Sequence, residues 1–144
     1  MPSPEEKCLP DAGALVVCTL ASGSKGNAVY ISDGHSAVLI DAGLSGIEIQ
    51  RRLSQNGLSP ADIDAIVVSH EHADHVKGVG VLSRKFNLPV YITPKTMQSA
   101  ASALGPVTHK EYFACGQAFQ IKDLILHPFA TSHDAADPAG FTIS

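Results

Sequence analysis

The feature that most constrains this 144-residue chain is a four-residue apolar run, AIVV at residues 65–68, which leads directly into SHEHADH at residues 69–75. A short, uniformly apolar and β-branched run is typical of a strand that is covered on both faces. Such a strand requires further layers on each side of its sheet. Because the polar cluster begins where the run ends, the sequence predicts a site at the carboxyl end of a buried strand.

The rest of the chain predicts a mixed α/β fold in which helices cover a sheet. Strands are expected first at residues 15–20, 28–32 and 36–41, with Asp33-Gly34 as a hairpin turn, so the chain should open as an antiparallel meander. Helices and one strand then alternate, and the end of the chain is mostly extended. Helices are expected at 47–56, 79–86 and 93–104, a strand at 89–92, and extended segments at 111–113, 117–121, 124–129 and 141–144.

Composition limits the classes of function. Lys and Arg number 10 and Asp and Glu 14, a net charge of −4, so a nucleic-acid partner would be held by a local patch or by metal ions rather than by a uniform basic field. Three cysteines suggest a reducing compartment. No apolar run reaches the ~18 residues of a membrane span, and residues 1–14 are acidic and interrupted by proline, unlike a signal peptide. We expect a cytoplasmic protein with no membrane association and a flexible extension at 1–14.

The polar cluster holds three imidazoles and a carboxylate within six positions, at His70, His72, Asp74 and His75. These donors suit a first-row divalent ion. An extended start places His70 and His72 on one side, whereas a turn near Ala73 can direct Asp74 and His75 elsewhere, so one loop could serve two ions. The alternative is a solvated or pH-sensitive surface cluster, which we disfavour because adjacent imidazoles repel when protonated.

Other candidate residues carry weaker signals. Asp41, after an apolar strand, either caps a turn or orients a metal-bound histidine from behind. His133 stands at a later strand-to-loop junction, where a distant third ligand is expected. The SGSKGN segment at residues 22–27 is either a simple strand connection or a loop that supports the site. Ordinary surface roles are expected for the remaining histidines, His35, His109 and His127.

The order of these segments resembles the metallo-β-lactamase fold family: LIDAG at 39–43, SHEHADH at 69–75, then an isolated His133. The segments at 20–27, 84–89, 132–135 and 138–141 are similar to the YycJ/WalJ-type branch, whose members are regarded as DNA exonucleases. The resemblance implies an αββα sandwich, and this chain resembles the N-terminal half plus the start of the second half. Residues 15–144 would then form an incomplete domain.

The resemblance also implies a site for two divalent metal ions, Zn or Mn. By this resemblance His70, His72 and His133 hold one ion, Asp74 and His75 hold the second, and Asp41 supports the loop. The family's later bridging aspartate and final histidine have no matching position here, so the second site is expected to be incomplete. Asp74 is also the expected catalytic residue that orients the attacking water or takes its proton.

Three functions remain open at this point. The first is a metallo-hydrolase that cleaves phosphodiester bonds, a DNA exonuclease, through a water activated by two metals. The second is a hydrolase of a small ester, thioester, lactone or cyclic phosphodiester, because one fold hosts many activities. The third is an inactive metal-binding half-domain, or a module that dimerises through an exposed sheet edge near residues 141–144.

Overall fold

The computed structural model describes residues 14–132 and 135–144, so nearly all of the predicted extension at 1–14 lies outside the described residues. Nine strands and four α-helices follow one another in this range. The strands are β1 (Val16–Ala21), β2 (Ala28–Ser32), β3 (Ala37–Ile40), β4 (Ala65–Val67), β5 (Val90–Ile92), β6 (Lys110–Tyr112), β7 (Phe119–Ile121), β8 (Leu124–Ala130) and β9 (Ala139–Ile143). The helices are α1 (Gly46–Gln55), α2 (Ala73–Val76), α3 (Val79–Phe86) and α4 (Pro94–Leu104).

Six strands form the first sheet, in the order β1-β2-β3-β4-β5-β6. The first three pair antiparallel, which confirms the predicted meander, and β3 through β6 run parallel. Carboxyl ends of parallel strands meet at one edge of a sheet, where functional side chains collect in α/β folds. The SHEHADH segment follows β4, in the middle of these four parallel strands.

The remaining three strands form a second sheet with the order β7-β8-β9, paired antiparallel throughout. Among the strands that the structure describes, β9 pairs only with β8, so its other edge is open to a further strand. An open edge offers unpaired backbone groups to a partner. Dimerisation through this edge stays a prediction.

The first sheet separates two hydrophobic cores, as the buried strand predicted. Every residue of β4 is fully buried, and its side chains alternate between the two faces. Ile66 joins the core that contains apolar residues of all four helices, whereas Ala65 and Val67 join the core shared with the second sheet. The described residues therefore form three layers, helices on sheet on sheet, in the mixed α/β class that the sequence predicted.

Element boundaries lie close to those expected. Ile49 and Leu53 are fully buried on α1, as predicted, but the helix begins one residue earlier because the Ser45 side chain caps it by accepting from Glu48 N–H. Thr93 and Pro94 open α4 as expected. The four-residue helix α2 was not predicted, because it lies inside the polar cluster and has no apolar periodicity.

Candidate metal-binding site

The site begins where β4 ends, with Ser69 and His70. His70 is only 6% exposed. The Ser69 hydroxyl oxygen lies 2.9 Å from His70 Nδ1, so Nε2 is the nitrogen that His70 would present to a metal ion. Ser69 therefore orients an imidazole that the sequence singled out, although the sequence analysis gave this serine no role.

His72 ends the extended segment, and α2 then carries Asp74 and His75. The His70 and His72 rings are neighbours, with centroids 4.9 Å apart, which fits their expected placement on one side. A turn near Ala73 could have directed His75 elsewhere, but its ring centroid lies 3.8 Å from that of His70. The single turn of α2 returns His75 toward the strand, a geometry that an extended-chain argument could not anticipate.

Asp41 links the loop after β3 to this cluster. The residue is 4% exposed and has φ of 64°, a left-handed conformation that aspartate adopts more readily than most residues. Its Oδ1 accepts from Ser69 N–H at 2.7 Å, and its Oδ2 accepts from the Ser69 hydroxyl at 2.6 Å and lies 2.7 Å from His75 Nδ1. This is the contact that an orienting role requires, and the role itself stays a prediction. The carboxylate leaves His75 Nε2 directed away from Asp41.

The charges around His75 perturb its protonation. Burial disfavours the imidazolium, but the hydrogen bond with Asp41 and the negative charges of Asp41 and Asp74 outweigh burial and raise the pKa of His75 above its ordinary value. A bound cation would compete with this proton. The acidic surroundings of His75 therefore favour a positive charge at this position, whether a proton or a metal ion supplies it.

Asn27 is the site residue that the sequence analysis missed. Its side-chain amide nitrogen lies 3.1 Å from Asp74 Oδ2 and 3.2 Å from the Asp74 carbonyl oxygen, and its backbone N–H donates to the same carbonyl at 2.7 Å. Of the two alternatives for the loop at residues 22–27, a simple strand connection or a loop that supports the site, these contacts favour the second. The signal was the loop itself, but nothing in its composition distinguished Asn27 from its neighbours.

Gly43 permits this close packing. A Cβ atom at Gly43 would stand 1.7 Å from the Asp74 carbonyl oxygen and 2.8 Å from Asn27 N. Gly43 N–H also donates to the Asn27 carbonyl at 2.9 Å. Three segments, at residues 22–27, 41–44 and 73–78, are consequently interlocked by backbone contacts that only glycine allows at this point.

The donor set suits a divalent ion. Asp74 Oδ2 and His75 Nε2 lie 3.6 Å apart. Two tetrahedral ligands at ~2.0–2.1 Å from one zinc ion stand about 3.4 Å apart, so this pair fits a shared ion. Within residues 14–132 and 135–144, however, no three His, Cys, Asp or Glu side chains form a group placed to hold one metal ion. The described residues thus offer a ligand pair and orienting contacts, and the complete ligand set stays a prediction.

His133 and Asp134 lie outside the described residues. Two residues that follow them contact the SHEHADH loop. Ala136 N–H donates to Glu71 Oε1 at 2.8 Å, and Ala139 N–H donates to the Ser69 carbonyl at 2.9 Å. The segment that follows position 134 therefore runs beside the SHEHADH loop.

The three histidines given ordinary roles are all exposed and outside the cluster. His35 Nε2 lies 3.6 Å from an Asp123 carboxylate oxygen, and His109 Nε2 lies 3.2 Å from a Glu111 carboxylate oxygen. His127 projects from β8. None of these three rings contributes to the candidate site.

Helices layered on a sheet that packs on a second sheet, with a His- and Asp-rich loop at the carboxyl end of a central strand, define the metallo-β-lactamase class of fold. Comparison with known families agrees: the profile of the metallo-beta-lactamase superfamily matches residues 21–104. The chain belongs to this superfamily, whose members typically bind divalent metals.

Within the superfamily, this chain is similar to two curated exodeoxyribonucleases. The chain is 42% identical over 121 residues to exodeoxyribonuclease YycJ of Bacillus anthracis, and 42% identical over 123 residues to exodeoxyribonuclease WalJ of Streptococcus pneumoniae. Each match covers 83% of this chain and 46% of the relative. The chain thus spans about half the length of the curated relatives that it matches.

Solved structures confirm the fold. The Rm3 metallo-beta-lactamase superposes with a TM-score of 0.74 at 24% identity, covering 97% of this chain and 59% of that one. MEM-A1, a subclass B3 metallo-beta-lactamase from a soil metagenome library, gives a TM-score of 0.73 at 22% identity, with 94% and 56% covered. At this identity the likeness concerns the fold alone. None of the helices in the described part of the chain is long and apolar enough to cross a membrane.

Proposed function

We propose that this chain carries the metal-binding loop of a nuclease that hydrolyses phosphodiester bonds in DNA. The observation that carries the proposal is the SHEHADH loop at the carboxyl edge of the sheet, in which the Asp41 carboxylate contacts His75 Nδ1. Similarity to the two exodeoxyribonucleases, at 42% identity over 83% of the chain, favours DNA as the substrate over a small ester.

The proposed ligands follow the sequence interpretation. His70, His72 and His133 would hold one divalent ion, and Asp74 and His75 would hold a second, with zinc or manganese as the metal. When bound, such ions lower the pKa of water and stabilise the charge that develops on a phosphate oxygen. Asp74 would orient the attacking water and accept its proton on a carboxylate oxygen.

Two exposed lysines lie in the interlocked segments and supply local positive charge. Lys25 stands two residues before Asn27, and Lys77 stands two residues after His75. A protein of net charge −4 needs such a local patch to attract a phosphate backbone. We infer that these lysines favour an anionic substrate at this edge.

An aromatic cleft at the same edge supports a nucleic-acid substrate. Phe113 and Phe119 stack with ring centroids 4.9 Å apart, and Tyr112, which is 53% exposed, lines a cavity of about 350 Å³ with them. In the parallel register Val67 pairs with Tyr91, and Tyr91 with Glu111; extended by two residues, this register places Ser69 level with Phe113. Two strand spacings separate them, about 10 Å, which equals about three stacked nucleotides. Phe113 is buried and Phe119 is partly buried in the second core, so the exposed ring of Tyr112 is the platform that this cleft offers to a base of single-stranded DNA.

Cleavage of labelled single-stranded DNA by the purified chain, with manganese or zinc added, tests the proposal. We expect metal-dependent cleavage that prefers longer DNA to a small chromogenic phosphodiester, and its loss in Asp74→Asn and in His72→Ala. His127→Ala, an exposed histidine outside the site, is the matched control. Undiminished cleavage in both site variants would contradict the proposal, whereas metal binding without cleavage above the background of metal alone would favour the inactive metal-binding half-domain. Metal binding measured in parallel separates loss of the ions from loss of chemistry.

A cytoplasmic location is likewise proposed from the sequence. The three cysteines do not form a disulfide framework in the sequence interpretation, and Cys18 and Cys115 are free thiols in the described residues. Free thiols suit a reducing compartment. Fractionation of cells that express the protein would test this location.

A further inference from the structure

We propose that Asn27 is a positioning residue for the Asp74–His75 ligand pair: its side-chain amide holds Asp74 Oδ2 at the distance from His75 Nε2 that one metal ion requires. The inference rests on the proposed function, because it takes this pair as metal ligands. It assigns a role to the SGSKGN loop, for which the sequence left a simple connection and a supporting loop as alternatives.

The orientation of the Asn27 amide is fixed by its own loop. Its Oδ1 accepts from Gly23 N–H at 3.1 Å, which assigns the other side-chain atom as the NH₂ group, the donor that contacts Asp74. The two N–H bonds are shared among three acceptors: the Gly23 carbonyl at 2.8 Å, the Asp74 carbonyl at 3.2 Å and Asp74 Oδ2 at 3.1 Å. The Asn27 side chain is therefore held in this orientation in the metal-free chain.

Consequently, Asp74 cannot rotate freely. Its carbonyl is held by the Asn27 backbone and its carboxylate by the Asn27 side chain, 47 residues away in sequence. Across the pair, Asp41 fixes His75 through Nδ1. The two ligands are thus oriented from opposite sides, by an amide and by a carboxylate, and their donor atoms stand 3.6 Å apart. Contacts of this kind with metal ligands are commonly worth about 10- to 100-fold in metal affinity.

Two substitutions separate positioning from loop closure. Asn27→Ala removes the side-chain contacts but keeps both backbone bonds, to Asp74 and Gly43, so the loop can still fold. Asn27→Asp keeps an acceptor for Gly23 N–H but removes the donor to Asp74. Asn56→Ala is the matched control, since that asparagine also donates to a backbone carbonyl, Arg52 O at 2.9 Å, at the end of α1.

Zinc titration by calorimetry and the d–d absorption of the Co²⁺-loaded chain provide the readouts. We expect both Asn27 variants to bind the ion at Asp74–His75 about 10- to 100-fold more weakly and to alter the cobalt spectrum. Asn56→Ala should leave both unchanged. A purely structural role for Asn27 would lower the melting temperature of the metal-free chain without changing affinity or spectrum at a temperature where the variant is folded. That result would overturn the proposal.

A double-mutant cycle keeps this inference distinct from the proposed function. If the wild-type chain binds no divalent ion, the metal site of the proposed function fails. The contact is then read in the metal-free chain, from the melting temperatures of Asn27→Ala, Asp74→Ala and the double variant. Non-additive shifts support the coupling of the two side chains, and additive shifts overturn it.

Discussion

Replacing Asp41 with asparagine removes one charge from the site and keeps the shape and backbone preference of the residue. Asp41 accepts from Ser69 N–H and the Ser69 hydroxyl and contacts His75 Nδ1, all within 2.6 to 2.7 Å. Asparagine can still accept from the Ser69 N–H, so the Oδ2 contacts are the ones lost. Hydrogen bonds to buried charged groups contribute about 1.5–3 kcal/mol each and are not additive, so we expect the metal-free chain to lose about 3 kcal/mol.

The substitution also changes the histidine. An amide N–H in place of Oδ2 would donate to His75 Nδ1 and favour the tautomer with its proton on Nε2, the nitrogen that would bind a metal ion. We therefore expect about 10- to 100-fold weaker zinc binding, measured by competition with a chelator.

The pH dependence of the metal-free chain has a definite sign. Burial lowers the pKa of His75, but the Asp41 hydrogen bond and the charges of Asp41 and Asp74 together raise it by more than burial lowers it, so the net shift is upward. The stability that this raised pKa gives the folded chain is fully present below the pKa of His75 in the unfolded chain, about 6.5, and is lost as the pH rises through the pKa in the folded chain. Denaturant melts should show a larger effect of Asp41→Asn at about pH 5.5 than at about pH 8.5.

Asp64→Asn is the control, because Asp64 precedes β4 at its opposite end and accepts from Ala37 N–H and Lys122. It should leave zinc affinity unchanged. Equal zinc affinity in the wild type and Asp41→Asn, together with a stability difference that does not vary with pH, would refute the orienting role of Asp41.

Three further results are expected. Gly43→Ala should lower the melting temperature sharply, by about 3 kcal/mol or more in stability, because its methyl group would stand 1.7 Å from the Asp74 carbonyl oxygen; an unchanged melting curve would contradict the close packing. Hydrogen bonds with Arg51 and Arg52 lower the pKa of Glu48 to about 2. An NMR titration of the Glu48 carboxyl group should therefore show a midpoint well below 4.5, and the midpoint should rise in Arg51→Ala. Any stability from this exposed contact is present above the unfolded pKa and is lost as the pH falls through the folded value. Tyr112→Ala should weaken binding of single-stranded DNA, by about 1–3 kcal/mol in a fluorescence anisotropy titration, without changing zinc affinity; an equal DNA affinity would remove the cleft from the substrate path.

The layered fold was predictable because its signals are local. The four apolar residues at 65–68 require cover on both faces, and the structure provides it with two separate cores. Ile49 and Leu53 lie on the buried face of α1 because their spacing follows the helical period. Such patterns depend on neighbouring residues in the sequence, so no knowledge of distant contacts is needed.

The candidate site was predictable in composition but not in its supporting contacts. Imidazoles and carboxylates in one short segment indicate metal chemistry wherever the segment folds. The contact of Asn27 with Asp74 joins residues 47 positions apart, and no short-range pattern reveals it. An orienting role for Asp41 was one of two expected alternatives, but the sequence did not show that the histidine in contact would be His75, 34 positions away. The φ of 64° at Asp41 is similarly invisible, because aspartate adopts many conformations at strand ends. The ligand assignment itself, including His133, stays a prediction.

The interlocked segments bear on how the chain opens and closes locally. Asn27 N–H donates to the Asp74 carbonyl, Ala42 N–H to the His75 carbonyl and Gly78 N–H to the Ala42 carbonyl, at 2.7 to 2.9 Å. None of these three donors lies in a strand or helix. Each bond joins two of the three segments, and the other bonds hold the same segments in place, so we expect their amide hydrogens to exchange with solvent as slowly as those of the central strands. The SHEHADH loop at the carboxyl edge of the sheet would then unfold only together with the core, rather than fluctuate locally as surface loops do.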